Sequence, residues 1–254
     1  MHKISYILLA PVLLSACKAI AGEDACPGAD VTDKQSVGSF MSIIDGQPAA
    51  PDTPQAQITA LYNKNSGQFQ SQLVGGIVFA QTGIFCQSQL TVTTPTLVVA
   101  SAGTQFQNSV AVAWEQRWLI DDGHLPTLSS QLSFQVPYNT PGATVDIVAT
   151  AIAAKSFTNG VGYLNAILES PNGFDATIFN WTVIAGYKHI IHDELEVFGD
   201  VFVQKGIAGG FEAAIEWDFT DGVSLGPGIS VVFNGPNSNG ATDVTVGVNL
   251  SRGF

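Results

Sequence analysis

The C-terminal part of the chain alternates apolar and polar residues with a period of two. The pattern runs through residues 211–220, 223–233 and 244–254, where every second position is mostly apolar and the positions between are small or polar. Successive side chains of a β-strand point to opposite faces, whereas a helix would scatter these apolar residues around its circumference. These segments are therefore predicted to be strands with one apolar and one polar face.

The same alternation, less regular, continues towards the N-terminus. The candidate strands span residues 54–62, 68–81, 87–101, 110–118, 128–136, 144–154, 160–169, 180–190, 195–204, 211–220, 223–233 and 244–254. That makes 12 candidates, an even number, as single-chain bacterial barrels require.

The connections between these segments alternate in length. Short turns are predicted at Asp221-Gly222, His192-Asp193 and Asn159-Gly160, because Asp-Gly and Asn-Gly suit two-residue hairpins. The next connection of this kind, over residues 121–124, is predicted to be compact as well. Longer connections are predicted at residues 235–240, 206–210, 170–178 and 139–143. Such a rhythm is typical of short periplasmic turns that alternate with extracellular loops.

Composition indicates what surrounds these strands. Hydrophobic residues make up 46% of the chain and charged residues 12%, about half the charged share usual in a soluble domain. No run of about 18 apolar residues follows the N-terminus, so no spanning helix is predicted. We therefore predict an all-β fold, an antiparallel transmembrane β-barrel of about 12 strands in the bacterial outer membrane, in contact with its lipids. A net charge of -12 argues against a nucleic-acid partner.

The N-terminus has the pattern of an export signal. Lys3 supplies the positive charge, and residues 4–16 form an apolar core. Cleavage after Ala21 would make Gly22 the mature start, whereas a lipoprotein box ending at Cys17 would leave a lipidated cysteine. The predicted organisation is a signal peptide over residues 1–21, a periplasmic extension or lumen plug over 22–53, and the barrel over 54–254.

The remaining cysteines form an even pair. Cys17 is either removed or lipidated, which leaves Cys26 and Cys86 in an oxidising compartment. Both are predicted on the periplasmic side, so we expect either a disulfide between them or two unpaired thiols.

The last strand predicts how the protein reaches its membrane. Outer-membrane barrels commonly end in an aromatic residue preceded by apolar residues at every second position. Phe254, Leu250 and Val248 fit that pattern, although Arg252 departs from it. We expect these residues to act as an assembly signal read by the barrel assembly machinery.

Charged residues collect on the predicted inner face. They are Glu115, Arg117, Lys188, Glu196, Asp200, Glu212, Glu216 and Asp218. Because rings of like charge filter ions by sign, one interpretation is a polar lumen that favours cations. The other is an interior filled by salt bridges, since a barrel of this size has a narrow lumen.

Catalytic signals are weak. The chain has no CxxC, HExxH, Walker loop or paired-histidine metal spacing, so no metal, cofactor or enzymatic activity is predicted. His124 and His192 fall in predicted turns, and His189 falls on the predicted outer face. A lipid-modifying enzyme remains the third interpretation of the chain.

Residues 114–254 resemble a known group of proteins. The resemblance begins at Trp114-Glu115-Gln116-Arg117-Trp118 and follows the strand succession to Phe254. This part of the chain is similar to the transporter-like outer-membrane barrels associated with the MetA pathway of phenol degradation. That resemblance implies a barrel for small, often hydrophobic, compounds and assigns no substrate residue. The predicted function is passive uptake of a small hydrophobic or aromatic solute, and the main alternative is a closed barrel for structure or surface recognition.

Overall fold

The computed structural model consists of β-strands. It describes residues 55–63, 68–79, 88–93, 96–100, 103–107, 109–119, 121, 123–137, 144–171, 179–192, 194–220, 223–233 and 242–253. The strands are β1 (Gln55–Asn63), β2 (Gln68–Phe79), β3 (Ser88–Thr93), β4 (Thr96–Ala100), β5 (Gly103–Gln107), β6 (Ser109–Leu119), β7 (Thr127–Pro137), β8 (Asp146–Phe157), β9 (Gly160–Ser170), β10 (Asn180–His192), β11 (Leu195–Gln204), β12 (Ile207–Thr220), β13 (Val223–Phe233) and β14 (Thr242–Gly253). Within these ranges, no helix is long and apolar enough to cross a membrane.

All fourteen strands belong to one antiparallel sheet. From β6 to β14, each strand pairs with the next one along the chain. β1 pairs with β14 on one side and with β2 on the other. The two ends of the strand region therefore meet, with Gln55 opposite Gly253.

The described residues form fourteen strands where about 12 were predicted, because one predicted segment is divided and a further short strand precedes β6. The segment predicted as 87–101 is divided into β3 and β4, which both pair with β2. Pro95 lies between them in the sequence and has no N–H to donate to the ladder. β5, which the alternation did not reveal, pairs with β4, while the following β6 pairs with β3.

The prediction of a longer connection over residues 206–210 was wrong. β11 ends at Gln204 and β12 begins at Ile207, so only Lys205 and Gly206 form the turn. Gly206 has a φ of 82°, the left-handed conformation that a tight hairpin turn requires. The remaining glycines belong to β12, where a Cβ on Gly210 would overlap the Phe202 ring. Close packing against Phe202 explains them better than a loop does.

Two predicted short turns are shifted by one residue. Phe157 pairs with Gly160, so the turn between β8 and β9 is Thr158-Asn159 rather than Asn159-Gly160. A Cβ on Gly160 would lie 2.6 Å from the Tyr187 hydroxyl, which shows how closely β10 passes this strand end. His192 is likewise the last residue of β10 and not part of the turn.

The sheet has an exposed face that is apolar and a buried face that is mostly polar. On β9 and β10, for example, Leu164, Leu168 and Val183 are exposed, whereas Asn165 between them is buried. Among the described residues, twelve buried side chains are polar or charged and only five are hydrophobic. This distribution is the reverse of a water-soluble domain, in which the apolar side chains are the buried ones.

Aromatic side chains on the exposed face lie near both ends of the strands. At the end that carries the connections after β9, β11 and β13 they are Phe179, Trp181, Phe211 and Phe233. At the opposite end they are Phe157, Tyr187 and Trp217. On β10, Trp181 and Tyr187 are six residues apart, about 20 Å along the strand.

Asp121 joins the connection after β6 to the end of β8. Its carboxylate accepts hydrogen bonds from the Lys155 ammonium at 2.7 Å and from the Ser156 and Gly123 N–H groups, each at 2.8 Å. The Asp121 N–H donates to the Thr127 hydroxyl at 3.0 Å. The hydrogen bond from Lys155 is the main reason that the pKa of Asp121 is lowered to about 2.

The N-terminal predictions and the cysteine pair lie outside the described residues. This holds for the signal peptide over residues 1–21, the segment over 22–53, and Cys26 and Cys86. Phe254 also lies outside them, while Leu250 and Val248 are exposed on β14. The disulfide and the assembly signal stay predictions.

Candidate functional site

The buried face of β11 and β12 carries five acidic side chains. Asp200 lies directly opposite Glu212 across the two strands, and Glu196 lies directly opposite Glu216. Asp218 is one further position along the same face of β12, opposite Ser224 of β13. Directly opposite residues have Cβ atoms about 5 Å apart, so each acidic pair brings two carboxylates close together.

The two acidic pairs differ in depth. Asp200 and Glu212 are 5% and 7% exposed, so both are almost completely buried. The side chain of Glu196 is 26% exposed to solvent. Four residues separate the pairs along each strand, a distance of roughly 13 Å. The acids therefore form two levels on one part of the buried face.

Lys188 of β10 offsets part of the negative charge at the Glu196–Glu216 level. Its ammonium lies 3.4 Å from a Glu196 carboxylate oxygen and 6.0 Å from the centroid of the Phe198 ring. On the other side, the Ser224 hydroxyl donates a hydrogen bond to Glu216 at 2.8 Å. A partly buried carboxylate is stabilised by such neighbours, because hydrogen bonds to a charged group are stronger than neutral ones.

A second charged group lies on β6. Glu115 and Arg117 are both buried on the face that carries the acids, and exposed Trp114 lies on the other face. The side-chain amide of Gln116 donates to the Arg117 carbonyl oxygen at 2.8 Å. β6 and β12 are separated by five strands in the sheet order, so the single arginine of this group is distant in the sheet from the acidic pairs.

Between these two charged regions the buried face is tightly covered. Asn165 of β9 is 0% exposed and Ile184 of β10 is 1% exposed, and the two are register partners. Ile152 and Tyr163 are buried beside them. Side chains rather than open space therefore cover the face next to β8, β9 and β10.

All eight charged residues predicted to point inward are at least partly buried in the structure. Sequence reasoning missed their uncharged neighbours, above all Ser224 and Asn165. Both occupy polar positions of the alternation, which was the available signal. Nothing in the sequence could tell which polar position would be fully buried, because that depends on side chains from several strands.

The three described histidines lie in a connection, on the exposed face and at the end of β10. His124 is exposed in the connection before β7, and His189 stacks on Tyr187 on the exposed face with ring centroids 6.3 Å apart. His192 accepts a hydrogen bond from the Glu194 N–H at 3.2 Å through Nδ1. In the part of the chain that the structure describes, no group of three His, Cys, Asp or Glu residues is arranged to hold a metal ion.

No family model and no curated protein matches the chain. Solved structures do match. An outer-membrane channel from Pseudomonas putida F1 aligns with 84% of this chain and 100% of its own length, at a TM-score of 0.60 and 12% identity. The KdgM porin in complex with disordered oligogalacturonate aligns with 79% of this chain and 99% of its own, at 0.56 and 7%. The NanC porin aligns with 78% and 98%, at 0.53 and 8%. The chain thus has the fold of outer-membrane channels and porins.

Proposed function

We propose that the sheet closes into a barrel in the bacterial outer membrane and that small solutes diffuse through its lumen. Closure is supported by β1, which has a hydrogen-bonded neighbour on each side. When β3 with β4, and β5 with β6, are each counted as one interrupted strand, the wall has twelve members. That count supports a wall of about twelve strands.

The distribution of exposed residues carries the proposal. A face with exposed leucine, valine and tryptophan side chains is unfavourable in water but suits the hydrocarbon of a bilayer. The aromatic residues near both strand ends match the girdles that flank the apolar band of membrane barrels. The polar face then lines the lumen, and the outer-membrane lipids cover the apolar one.

The acidic levels on β11 and β12 support a preference for cations. Glu196, Asp200, Glu212, Glu216 and Asp218 lie on two adjacent strands, and Lys188 offsets part of their charge. Carboxylates grouped on one wall of a narrow lumen attract cations and repel anions. Glu115 and Arg117 on β6 carry opposite charges and contribute little to this net field.

The class of solute is proposed from the resemblance to the barrels of the MetA pathway of phenol degradation. Their expected substrates are small hydrophobic or aromatic compounds, which diffuse without a specific charged site. The solved KdgM structure contains disordered oligogalacturonate, a larger anionic ligand, and the acidic levels of this chain do not favour such a ligand. A small neutral or cationic solute fits them better.

Conductance of the refolded protein in a planar bilayer tests the proposal. We expect steady single-channel steps with a reversal potential that indicates cation preference. Joint replacement by Glu212→Gln, Glu216→Gln and Asp218→Asn should reduce that preference. Glu194→Gln, which removes an exposed acid from a turn, is the matched control and should leave it unchanged.

A correctly folded barrel that stays electrically silent would overturn the open channel. It would favour the second candidate, a closed barrel that serves structure or surface recognition. The complete burial of Asn165 and Ile184 on the lumen face supports that candidate, because it shows that part of the interior is filled. Uptake of a neutral aromatic compound into liposomes that contain the silent barrel would restore the transport function without ion conduction.

A further inference from the structure

Lys188 is the only lysine or arginine in strands β10 to β13. It lies on the face that carries the acids, since Tyr187 before it is exposed on the other face. The register partner of Lys188 is Phe198 of β11, and Glu196 lies two positions from Phe198 on the same strand. The single lysine of these four strands therefore faces the same side as the two acidic levels.

Two neighbours hold the Lys188 ammonium in place. Its nitrogen lies 3.4 Å from a Glu196 carboxylate oxygen and 6.0 Å from the centroid of the Phe198 ring. Both neighbours attract a cation, the first through its negative charge and the second through the electrons of the ring face. The positive charge is thus kept beside Glu196.

This pair of charged groups keeps contact with solvent. The side chains of Lys188 and Glu196 are 15% and 26% exposed. Asp200 and Glu212 are almost completely buried, and the β10 residue opposite Asp200 is Gly186, which carries no charge. A solute on the lumen face therefore meets the Lys188–Glu196 pair more directly than it meets the deeper acids.

We infer that Lys188 determines how strongly the lumen distinguishes cations from anions. Charged side chains on a pore wall select ions by their sign. Lys188 places a positive charge within the acidic side of the wall, so it weakens both the attraction of cations and the repulsion of anions. Glu196 is a positioning residue, because its carboxylate holds the ammonium. The inference deepens the proposed function and rests on it: a channel with this lysine prefers cations only moderately and also admits neutral solutes.

Thiol labelling measures the electrostatic field at Lys188 without any ion current. The reporter is Phe198→Cys, at the register partner of Lys188, in protein whose native cysteines are replaced by serine. Its rates of reaction with a cationic and an anionic methanethiosulfonate of similar size are compared with and without Lys188→Gln. Loss of the lysine should raise the ratio of the cationic to the anionic rate by about tenfold, because one unit charge about 6 Å away acts in opposite directions on the two reagents. Lys205→Gln, in the turn after β11, is the matched control and should leave the ratio unchanged.

The same lysine variants, with Phe198 retained, are compared in planar bilayers. Lys188→Gln should raise the permeability ratio of cations to anions by about threefold, and Lys205→Gln should keep the wild-type value. Lys188→Gln combined with Glu196→Gln should return towards wild type, because the double variant removes one charge of each sign from the pair. Lys188→Met should give the same rise as Lys188→Gln, and heat-resistant migration in detergent gels verifies the fold of each variant.

An unchanged labelling ratio in Lys188→Gln would overturn the inference. A thiol at position 198 that reacts with neither reagent would also overturn it, since no solute would then reach the pair. An equal rise in Lys188→Gln and Lys205→Gln would assign the effect to overall charge and not to this lysine. A wild-type protein that carries no current contradicts the open channel, whereas the labelling ratio still decides whether Lys188 controls the field at the lumen face.

Discussion

Asp121 shows how a single side chain secures one end of the sheet. Its carboxylate connects the segment after β6 with Lys155 and Ser156 at the end of β8, two strands away. The hydrogen bond from Lys155, followed by that from the Ser156 N–H, holds the pKa of Asp121 at about 2, below its ordinary value of 3.8. The charged form is therefore more stable in the folded protein than in the unfolded one.

This pKa predicts how stability depends on pH. The contribution of Asp121 to the free energy of unfolding is complete above about pH 4 and is lost as the pH falls towards 2, because the folded protein must then take up a proton at this site. Asp121→Asn should lower stability at neutral pH by about 1 kcal/mol, the usual contribution of a hydrogen bond.

Urea unfolding followed by tryptophan fluorescence in detergent micelles measures both effects. The difference between wild type and Asp121→Asn should shrink between pH 4 and pH 2. Glu194→Gln removes an exposed acid from a turn at the same end of the sheet and should match wild type throughout. A constant difference across this pH range would show that the carboxylate is not stabilised by these contacts.

Sequence reasoning reached the position of Asp121 but not its role. Residues 121–124 were predicted as a compact connection because they fall at a short turn in the alternation of short and long connections. The contact with Lys155, 34 residues later, depends on the register of β6 against β7 and of β7 against β8. A shift of one residue in either pairing would carry Lys155 to the other face.

At the level of the strand, β10 gives the clearest alternation. Val183, Ala185 and Tyr187 are exposed, while Ile184 is buried and Thr182 and Gly186 are partly buried. If the exposed face meets lipid, spin labels placed along β10 in a cysteine-free background should alternate in accessibility. Labels at Val183 and Ala185 should relax faster with oxygen, and a label at Thr182 should respond more to a water-soluble nickel complex.

The comparison must be made in bilayers and again in detergent. An even response along β10 in bilayers would contradict a lipid-facing surface, whereas a pattern with a period near 3.6 would contradict the strand itself. A label at exposed His124, in the connection before β7, serves as the reference for full accessibility to water.

The strands were predictable where the alternation of apolar and polar residues along the chain determines them. Alternation located β6 to β14 to within a few residues, because one face of each strand is apolar. It failed where glycine had two interpretations: residues 206–210 were predicted as a loop, but only Gly206 of that range lies in the turn, together with Lys205. Whether a glycine permits a positive φ or a close approach by a ring is decided by the neighbouring strand.

Closure of the whole sheet predicts two cross-links that share one position. Ala60 of β1 is opposite Val248 of β14 and also opposite Ser71 of β2. The double variants Ala60→Cys with Val248→Cys and Ala60→Cys with Ser71→Cys should each form a disulfide in the folded protein, because directly paired strand residues have suitable Cβ separations. Both variants replace the native cysteines by serine.

An open sheet would form at most one of these bonds. Gel migration with and without reductant detects each cross-link, and Ala60→Cys with Val246→Cys is the control, since Val246 lies two positions from the Ala60 partner. Formation of only one of the two bonds would contradict closure at β1.

The whole-molecule charge pattern was predictable from alternation alone. The contrast between the two acidic levels was not, since Lys188 and Gly186 both occupy polar positions.

The pairing of β1 with β14 also affects how the protein can be made. Gln55 and Gly253 are opposite one another, so the first strand acquires one of its two neighbours only after the last strand has been exported. A nascent chain that lacks β14 exposes two sheet edges and an apolar surface to the aqueous compartment it crosses. The pairing of β1 with β14 therefore waits until the last strand is available. Because β1 and β14 are paired, a chain opened at Lys205-Gly206 and joined from residue 253 to residue 55 should keep the other strand pairings.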